Sequence, residues 1–246
     1  MGALTAIQLA LLIGAAFMIG FSKTAISGAT LPAIAMVAYT FGGKLSSGIM
    51  LTMLIVADVI GVSYYGRFVK FRDVLVTLPY AIIGIILGAL VGNTLNDAQF
   101  KLLLGMVVIL CLVLLIYMEF AGKKVQVPNN IFVHIVVGVV CGFSSMVGNA
   151  AGPIFSVYLL SCGFEKNRFI ATAGWFFFIV NLIKLPFQIF MWNTITFSTL
   201  QYTLYMMPVI LLGAVFGILV VKRINEKVFK NLVILMTAIV AVRLMA

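Results

Sequence analysis

The sequence predicts an all-α polytopic membrane protein made of two inverted-topology repeats, each a broken helical hairpin followed by three long transmembrane helices. Of its 246 residues, 64% are hydrophobic and only 9% are charged, which is too few polar groups for a soluble domain. The apolar runs have the length of membrane helices and lack the alternation over about ten residues that is typical of a transmembrane barrel. A Gly-Phe-Ser motif at residues 20–22 returns 122 positions later, at residues 142–144.

The first half contains five apolar segments. Residues 4–20 form the first, and a short run over 30–42 follows. At about 1.5 Å per residue, that run cannot span a hydrocarbon core of about 30 Å. Three long segments complete the half, at residues 46–65, 74–93 and 99–119.

The second half repeats this order of short and long segments. Its two short runs and three long segments cover residues 131–143, 153–162, 167–192, 199–220 and 228–245. Pairs of residues also recur at a constant offset of 129, namely Pro79 with Pro208, Gly84 with Gly213 and Gly88 with Gly217. We therefore predict a first repeat over 1–120, a cytoplasmic linker over 121–130 and a second repeat over 131–246.

The distribution of basic residues predicts the orientation of the chain. Each repeat has five segments, an odd number, so the second repeat begins on the opposite side of the membrane from the first. Eleven basic residues then fall on one side, at Arg67, Lys70, Arg72, Lys123, Lys124, Lys166, Arg168, Lys222, Arg223, Lys227 and Lys230. Three fall on the other, at Lys44, Lys101 and Arg243. We expect the first side to be cytoplasmic and both termini to lie outside.

Short polar breaks interrupt both hairpins near the predicted bilayer centre. The helices after them would begin at about residues 29–30 and 151–152, with the positive ends of their dipoles pointing inward. Two such N-termini facing each other make a site for an anion. The candidate substrate ligands in the breaks are Ser22, Lys23, Thr24, Ser27, Gly28, Ser144, Ser145, Gly148, Asn149 and Gly152.

Three charged residues lie near the middle of the membrane in this arrangement, namely Lys23, Asp58 and Lys184. Lys23 and Lys184 would be ammonium groups at membrane depth, where a charge is costly and usually functional. Asn181 and Gln188 share a helical face with Lys184 by i, i+3 and i+4 spacing, so all three join the candidate ligands. Asp58 could pair with a lysine or carry a proton during transport. Two lysines against one acid favour an anionic substrate over a metal cation.

The sequence gives no support for catalysis. No cluster of His, Cys, Asp and Glu has metal-ligand spacing, and neither a nucleophile–base pair nor a phosphate-binding loop is present. We therefore predict a protein that is not an enzyme and that holds no metal and no cofactor. Cys111, Cys141 and Cys162 are interpreted as small buried hydrophobic residues. Sulfur chemistry at Cys141 and Cys162 is the alternative.

Three groups of residues carry a family resemblance: Gly20-Phe21-Ser22-Lys23-Thr24 with Gly28 and Pro32; Gly142-Phe143-Ser144 with Gly148, Gly152-Pro153 and Tyr158-Leu159-Leu160; and the run from Ala171-Thr172 through Asn181 and Lys184. On these residues, the sequence resembles the TauE/SafE sulfite exporter family, also called the 4-toluene sulfonate uptake permease family. The resemblance covers nearly the whole chain. It implies a transporter in a bacterial or archaeal cytoplasmic membrane, moving sulfite, sulfonates such as sulfoacetate, or related small anions, driven by ion gradients. Ser145 stands at the position of Lys23, so the two breaks are chemically unequal.

These observations predict a secondary transporter that works by alternating access, with Asp58 as the candidate for proton coupling. The alternative is a passive channel for water, small solutes or anions, although a neutral pore needs no buried lysine. A non-transporting assembly factor would need a soluble domain or a long interfacial helix, and the sequence shows neither. The expected partners are a small anion and membrane lipid but no nucleic acid, and a homo-oligomer is left open.

Overall fold

The described part of the chain is built from helices. The computed structural model describes residues 4–25, 29–121, 130–164 and 166–221, and no strand occurs within these ranges. The helices are α1 (Ala6–Thr24), α2 (Thr30–Phe41), α3 (Gly43–Tyr65), α4 (Phe71–Leu75), α5 (Leu78–Thr94), α6 (Asp97–Ala121), α7 (Ile131–Gly148), α8 (Gly152–Ser161), α9 (Lys166–Pro186) and α10 (Phe197–Val221). A 3₁₀ turn, Gly66–Phe68, follows α3, and a π-helical turn, Phe187–Met191, extends α9.

Six helical spans in the described ranges are long and apolar enough to cross a membrane. They are α1, α3 with its 3₁₀ turn, α4 with α5, α7, α9 with its π-helical turn, and α10. By contrast, α2 has 12 residues and α8 has 10, so both are far shorter than the hydrocarbon core of about 30 Å. The prediction of an all-α polytopic membrane protein is confirmed. The predicted segment 228–245 and most of the predicted linker 121–130 lie outside the described residues.

The first helix of each hairpin runs further than the sequence predicts. α1 continues past Gly20 to Thr24, and α7 continues past Gly142 to Gly148. The predicted ends of these two runs, at residues 20 and 143, are therefore wrong. A side chain at Gly20 or Gly142 would overlap the backbone of a neighbouring helix, so the glycines permit close packing rather than end a helix. α2 and α8 begin where the sequence predicts.

Glycines also bring α1 against α10 and α7 against α5 at very short range. In each contact, a Cβ atom added to the glycine would overlap a carbonyl oxygen of the partner helix. The four contacts are Gly20 with Ile210, Gly213 with Phe17, Gly142 with Ala81, and Gly84 with Val139. The contacts of one helix pair correspond to those of the other at the sequence offsets of 122 and 129. The division into two inverted repeats stays a prediction, and this correspondence agrees with it.

α3 and α9 pack against each other in the core and also contact the hairpin helices α1 and α7. Asp58 on α3 and Asn181 on α9 lie within this contact, and both are buried. The fold therefore places polar side chains from both halves of the chain where the two hairpin breaks approach the central helices.

Candidate functional site

A small cavity lies where the two hairpin breaks meet α9. Its volume is about 30 Å³. Thr30 and Gly152, the first residues of α2 and α8, both line it. The positive ends of two helix dipoles therefore border one cavity, which matches the arrangement that the sequence predicts and favours an anion.

Lys23 brings an ammonium group to the cavity. It lies in the last turn of α1, and its side chain is 10% exposed. Its Nζ atom is 2.7 Å from Oδ1 of Asp58 and 4.9 Å from the centre of the Phe177 ring. An ammonium has three N–H donors, and the described residues give Nζ no hydrogen-bond partner beyond this carboxylate. Donors therefore remain for a ligand in the cavity.

Asp58 is the buried counter-ion of Lys23. None of its surface is exposed, and it lies on α3 behind the cavity lining. Its second oxygen, Oδ2, accepts a hydrogen bond of 2.6 Å from Nδ2 of Asn181. The sequence left open whether Asp58 pairs with a lysine or carries a proton. The structure shows the pairing, which does not exclude the proton.

Lys184 is fully buried and does not line the cavity. Its Nζ atom donates to Oγ of Ser145 at 3.1 Å, to Oδ1 of Asn149 at 2.6 Å and to Oδ1 of Asn181 at 3.0 Å. All three acceptors are neutral, and all three residues line the cavity. The ammonium of Lys184 is therefore separated from the cavity by a single layer of polar side chains.

Asn149 forms the turn between α7 and α8. Its φ of 54° is in the left-handed region, where an asparagine is tolerated better than most residues. Its N–H bonds back to the carbonyl of Ser145, and its Nδ2 donates to the carbonyl of Ser47 at 3.2 Å. With Oδ1 held by Lys184, the whole amide is fixed, which in turn fixes where α8 begins.

Ser22 and Thr24 have opposite roles although they are two residues apart. Ser22 lines the cavity, is 3% exposed, and its Oγ has no hydrogen-bond partner in the described part of the chain. Thr24 donates its hydroxyl to the carbonyl of Ala214 at 2.9 Å, so it ties α1 to α10. A buried hydroxyl without a partner is costly, so Ser22 is the one that a ligand would satisfy.

Gln188 belongs to a buried polar bridge beside the site. Its Nε2 donates to Oγ of Ser47 at 3.0 Å, and its Oε1 accepts a hydrogen bond from the Thr194 hydroxyl. Gln188 does not line the cavity. The bridge joins α3, α9 and the segment that leads into α10.

The structure brings six of the thirteen predicted ligands to the cavity. Six line it: Ser22, Lys23, Ser145, Asn149, Gly152 and Asn181. Lys184 and Asp58 lie one contact behind that lining. Four others do not line it: Thr24, Ser144, Gly148 and Gln188. The predicted ligands Ser27 and Gly28 lie outside the described residues.

Sequence reasoning missed one wall of the cavity. That wall comes mainly from the first half of α9 and from one residue of α3, and it consists of Leu54, Phe169, Ile170, Ala173, Gly174 and Phe177. Phe177 is four residues before Asn181 and seven before Lys184, so it shares the helical face that the sequence already marked. Following that face toward the start of α9 would have found most of the wall.

The cavity suits a small anion with several acceptor oxygens. It offers the spare donors of Lys23, the hydroxyl of Ser22 and two helix N-termini, while two ammonium groups stand against one carboxylate. The described residues contain no group of three or more His, Cys, Asp or Glu that could hold a metal ion.

Comparison with known proteins identifies a family. The model of the family described as sulfite exporter TauE/SafE matches residues 12–244, nearly the full length. Neither a curated protein nor a solved structure matches the chain.

Proposed function

This chain belongs to the sulfite exporter TauE/SafE family, and we propose that it is a secondary transporter whose substrate is sulfite or a small sulfonate such as sulfoacetate. The family implies a multi-pass membrane transporter of sulfur anions such as sulfite. The observation that carries this proposal is the cavity lined by Lys23, by Ser22, whose hydroxyl has no partner among the described residues, and by the first residues of two helices.

Sulfite and sulfonate groups each present three acceptor oxygens to such a cavity. Hydrogen bonds from ionised donors to anionic oxygens are shorter and stronger than bonds between neutral groups. One oxygen would take the spare donors of Lys23, another the Ser22 hydroxyl, and the third the backbone N–H groups at the start of α8.

Transport would proceed by alternating access around this fixed site, with the two hairpin breaks carrying the ligands. Asp58 is the residue that we propose for proton coupling, because it is buried, acidic and in contact with the ammonium that faces the substrate. Protonation of Asp58 would release that ammonium from its internal partner. If Asp58→Asn in proteoliposomes leaves both the rate and its dependence on a pH gradient unchanged, the coupling role is wrong.

The substrate site is tested by thermal unfolding of the purified protein against a panel of sulfite, sulfate, sulfoacetate, taurine, acetate, chloride and glycerol. A ligand that binds only the folded protein raises the melting temperature with its concentration. We expect a rise with sulfite or one sulfonate in the wild type and none in Lys23→Ala. Lys101→Ala is the matched control, because Lys101 is a half-exposed surface lysine paired with Asp97.

The panel also separates this function from a passive channel. A response to none of the anions, together with transport that never saturates and ignores a pH gradient, would favour the channel. A response that survives Lys23→Ala would keep the transporter but remove Lys23 from its site.

We propose further that the protein lies in the cytoplasmic membrane of a bacterium or archaeon with both termini outside. The excess of basic residues near Arg67, Lys70 and Arg168 supports this orientation. A reporter that fluoresces only in the cytoplasm, fused to either terminus, should stay dark, and the same reporter inserted in the linker over 121–130 should fluoresce.

A further inference from the structure

We propose that the net positive charge offered to the substrate comes from Lys184, which never touches it, while the charge of Lys23 is cancelled by Asp58. Lys23 would then act as a hydrogen-bond donor to the substrate, and Lys184 would supply the fixed positive charge that attracts the anion. This inference rests on the proposed function, because it assigns the attraction for the same anion.

The first step is the pairing of charges around the cavity. Lys23 and Asp58 are 2.7 Å apart and form a neutral pair. Lys184 has no carboxylate within ion-pair distance among the described residues, and its three acceptors are a hydroxyl and two amide oxygens. The cluster of two ammonium groups and one carboxylate therefore has one positive charge left, and it is carried by Lys184.

The second step is the protonation of Lys184. The amide nitrogen of Asn149 donates to the carbonyl of Ser47, and that of Asn181 donates to Asp58. These bonds fix the two amide oxygens toward Lys184, so both require an N–H donor there. An ammonium has three N–H groups, and the Ser145 hydroxyl is the third acceptor within reach. The surroundings of Lys184 thus offer an acceptor to each of the three N–H groups of an ammonium.

The third step is the distance from this charge to a substrate. Ser145, Asn149 and Asn181 contact Lys184 on one side and the cavity on the other. A substrate that accepts a hydrogen bond from the Ser145 hydroxyl would lie about 6 Å from Nζ, two hydrogen-bond lengths away. At an effective dielectric constant of about 20, a unit charge at that distance is worth about 2.8 kcal/mol, which changes the affinity for a monoanion about 100-fold.

The experiment uses charge rescue and isothermal titration of sulfite and sulfoacetate into the purified full-length protein. Lys184→Met keeps most of the length of the side chain and removes the charge, so we expect binding to weaken about 100-fold. Adding Asp58→Asn to that variant leaves one positive charge on Lys23 and should restore most of the affinity. If the double variant binds no better than Lys184→Met, Lys184 acts only by holding the break in place, and the inference is wrong.

Asp58→Asn alone keeps the inference testable if Lys184→Met fails to fold. It raises the net charge of the cluster without touching Lys184, and it should tighten anion binding by a similar factor. Unchanged or weaker binding would overturn the charge assignment. Failure of the wild type to bind any anion would instead contradict the proposed function, so the two failures are distinguishable.

Discussion

Replacing Ser22 with alanine should separate ligand binding from stability. Ser22 lines the cavity and is almost fully buried, and its hydroxyl has no hydrogen-bond partner among the described residues. Ser22→Ala therefore removes no hydrogen bond from the protein. It removes only the bond that the hydroxyl would donate to a bound anion.

The expected effects on stability and on binding are opposite in sign. An unsatisfied buried polar group costs about 1–3 kcal/mol, so its removal should leave the free energy of unfolding unchanged or slightly higher. A hydrogen bond to a charged ligand contributes about 1.5–3 kcal/mol, so the dissociation constant of the anion should rise about 10- to 150-fold.

Thr172→Val is the matched control for this measurement. The Thr172 hydroxyl is also buried and without a partner in the described residues, but Thr172 does not line the cavity. Thermal unfolding without anion should rank both variants at or above the wild type, and calorimetric titration with sulfite should show a loss for Ser22→Ala alone. If Ser22→Ala lowers the melting temperature and leaves the dissociation constant unchanged, the hydroxyl is structural and the reasoning is refuted.

Three further predictions concern the packing around the site. Lys23→Met should lower the free energy of unfolding by about 3–5 kcal/mol, because the carboxylate of Asp58 stays buried without its cation. Adding Asp58→Asn to this variant should recover most of that loss in thermal unfolding. A double variant that is no more stable than the single one would contradict this prediction. Gln188→Leu should lower the free energy of unfolding by about 1–3 kcal/mol in the same measurement, since two buried side-chain hydrogen bonds are lost. The affinity for sulfite should stay unchanged, because Gln188 does not line the cavity. Weakened sulfite binding would instead identify Gln188 as a ligand. Gly142→Ala should destabilise the protein by about 1–3 kcal/mol, because the added methyl group overlaps the backbone of α5. Gly14→Ala is the control, since its methyl group meets only an ordinary side-chain contact and should be tolerated. Equal stability of the two variants would refute the close packing.

Much of the site was predictable because its residues are unusual for their surroundings. A lysine and an aspartate inside apolar segments stand out in any sequence of this composition, and Lys23 and Asp58 turn out to be partners. The starts of α2 and α8 were predictable because polar and small residues precede a Pro-containing apolar run. Both the charged residues and the helix starts can therefore be recognised from a few neighbouring residues in the sequence.

Other features depend on packing that a sequence does not express. Helical spacing gives the direction in which Gln188 points, but not how far along α9 the cavity extends. Gln188 is seven residues beyond Asn181, about 10 Å along the helix axis, which is past the end of so small a cavity. Gly20 and Gly142 were ambiguous for a similar reason, since a glycine can end a helix or let another backbone approach it.

The glycine contacts between α1 and α10, and between α7 and α5, limit the movements that this molecule can make. A carbonyl oxygen seated against a glycine has no room to pass the larger residues on either side, so neither helix pair can slide along its own axis. Each helix pair should move as a rigid body, so the hairpin helix that leads into a break should move together with its partner helix. Relative movement of the two pairs would then occur at the contact between α3 and α9, which contains Asp58 and Asn181. A change of access from one side of the membrane to the other would therefore strain the hydrogen bond between Asn181 and Asp58.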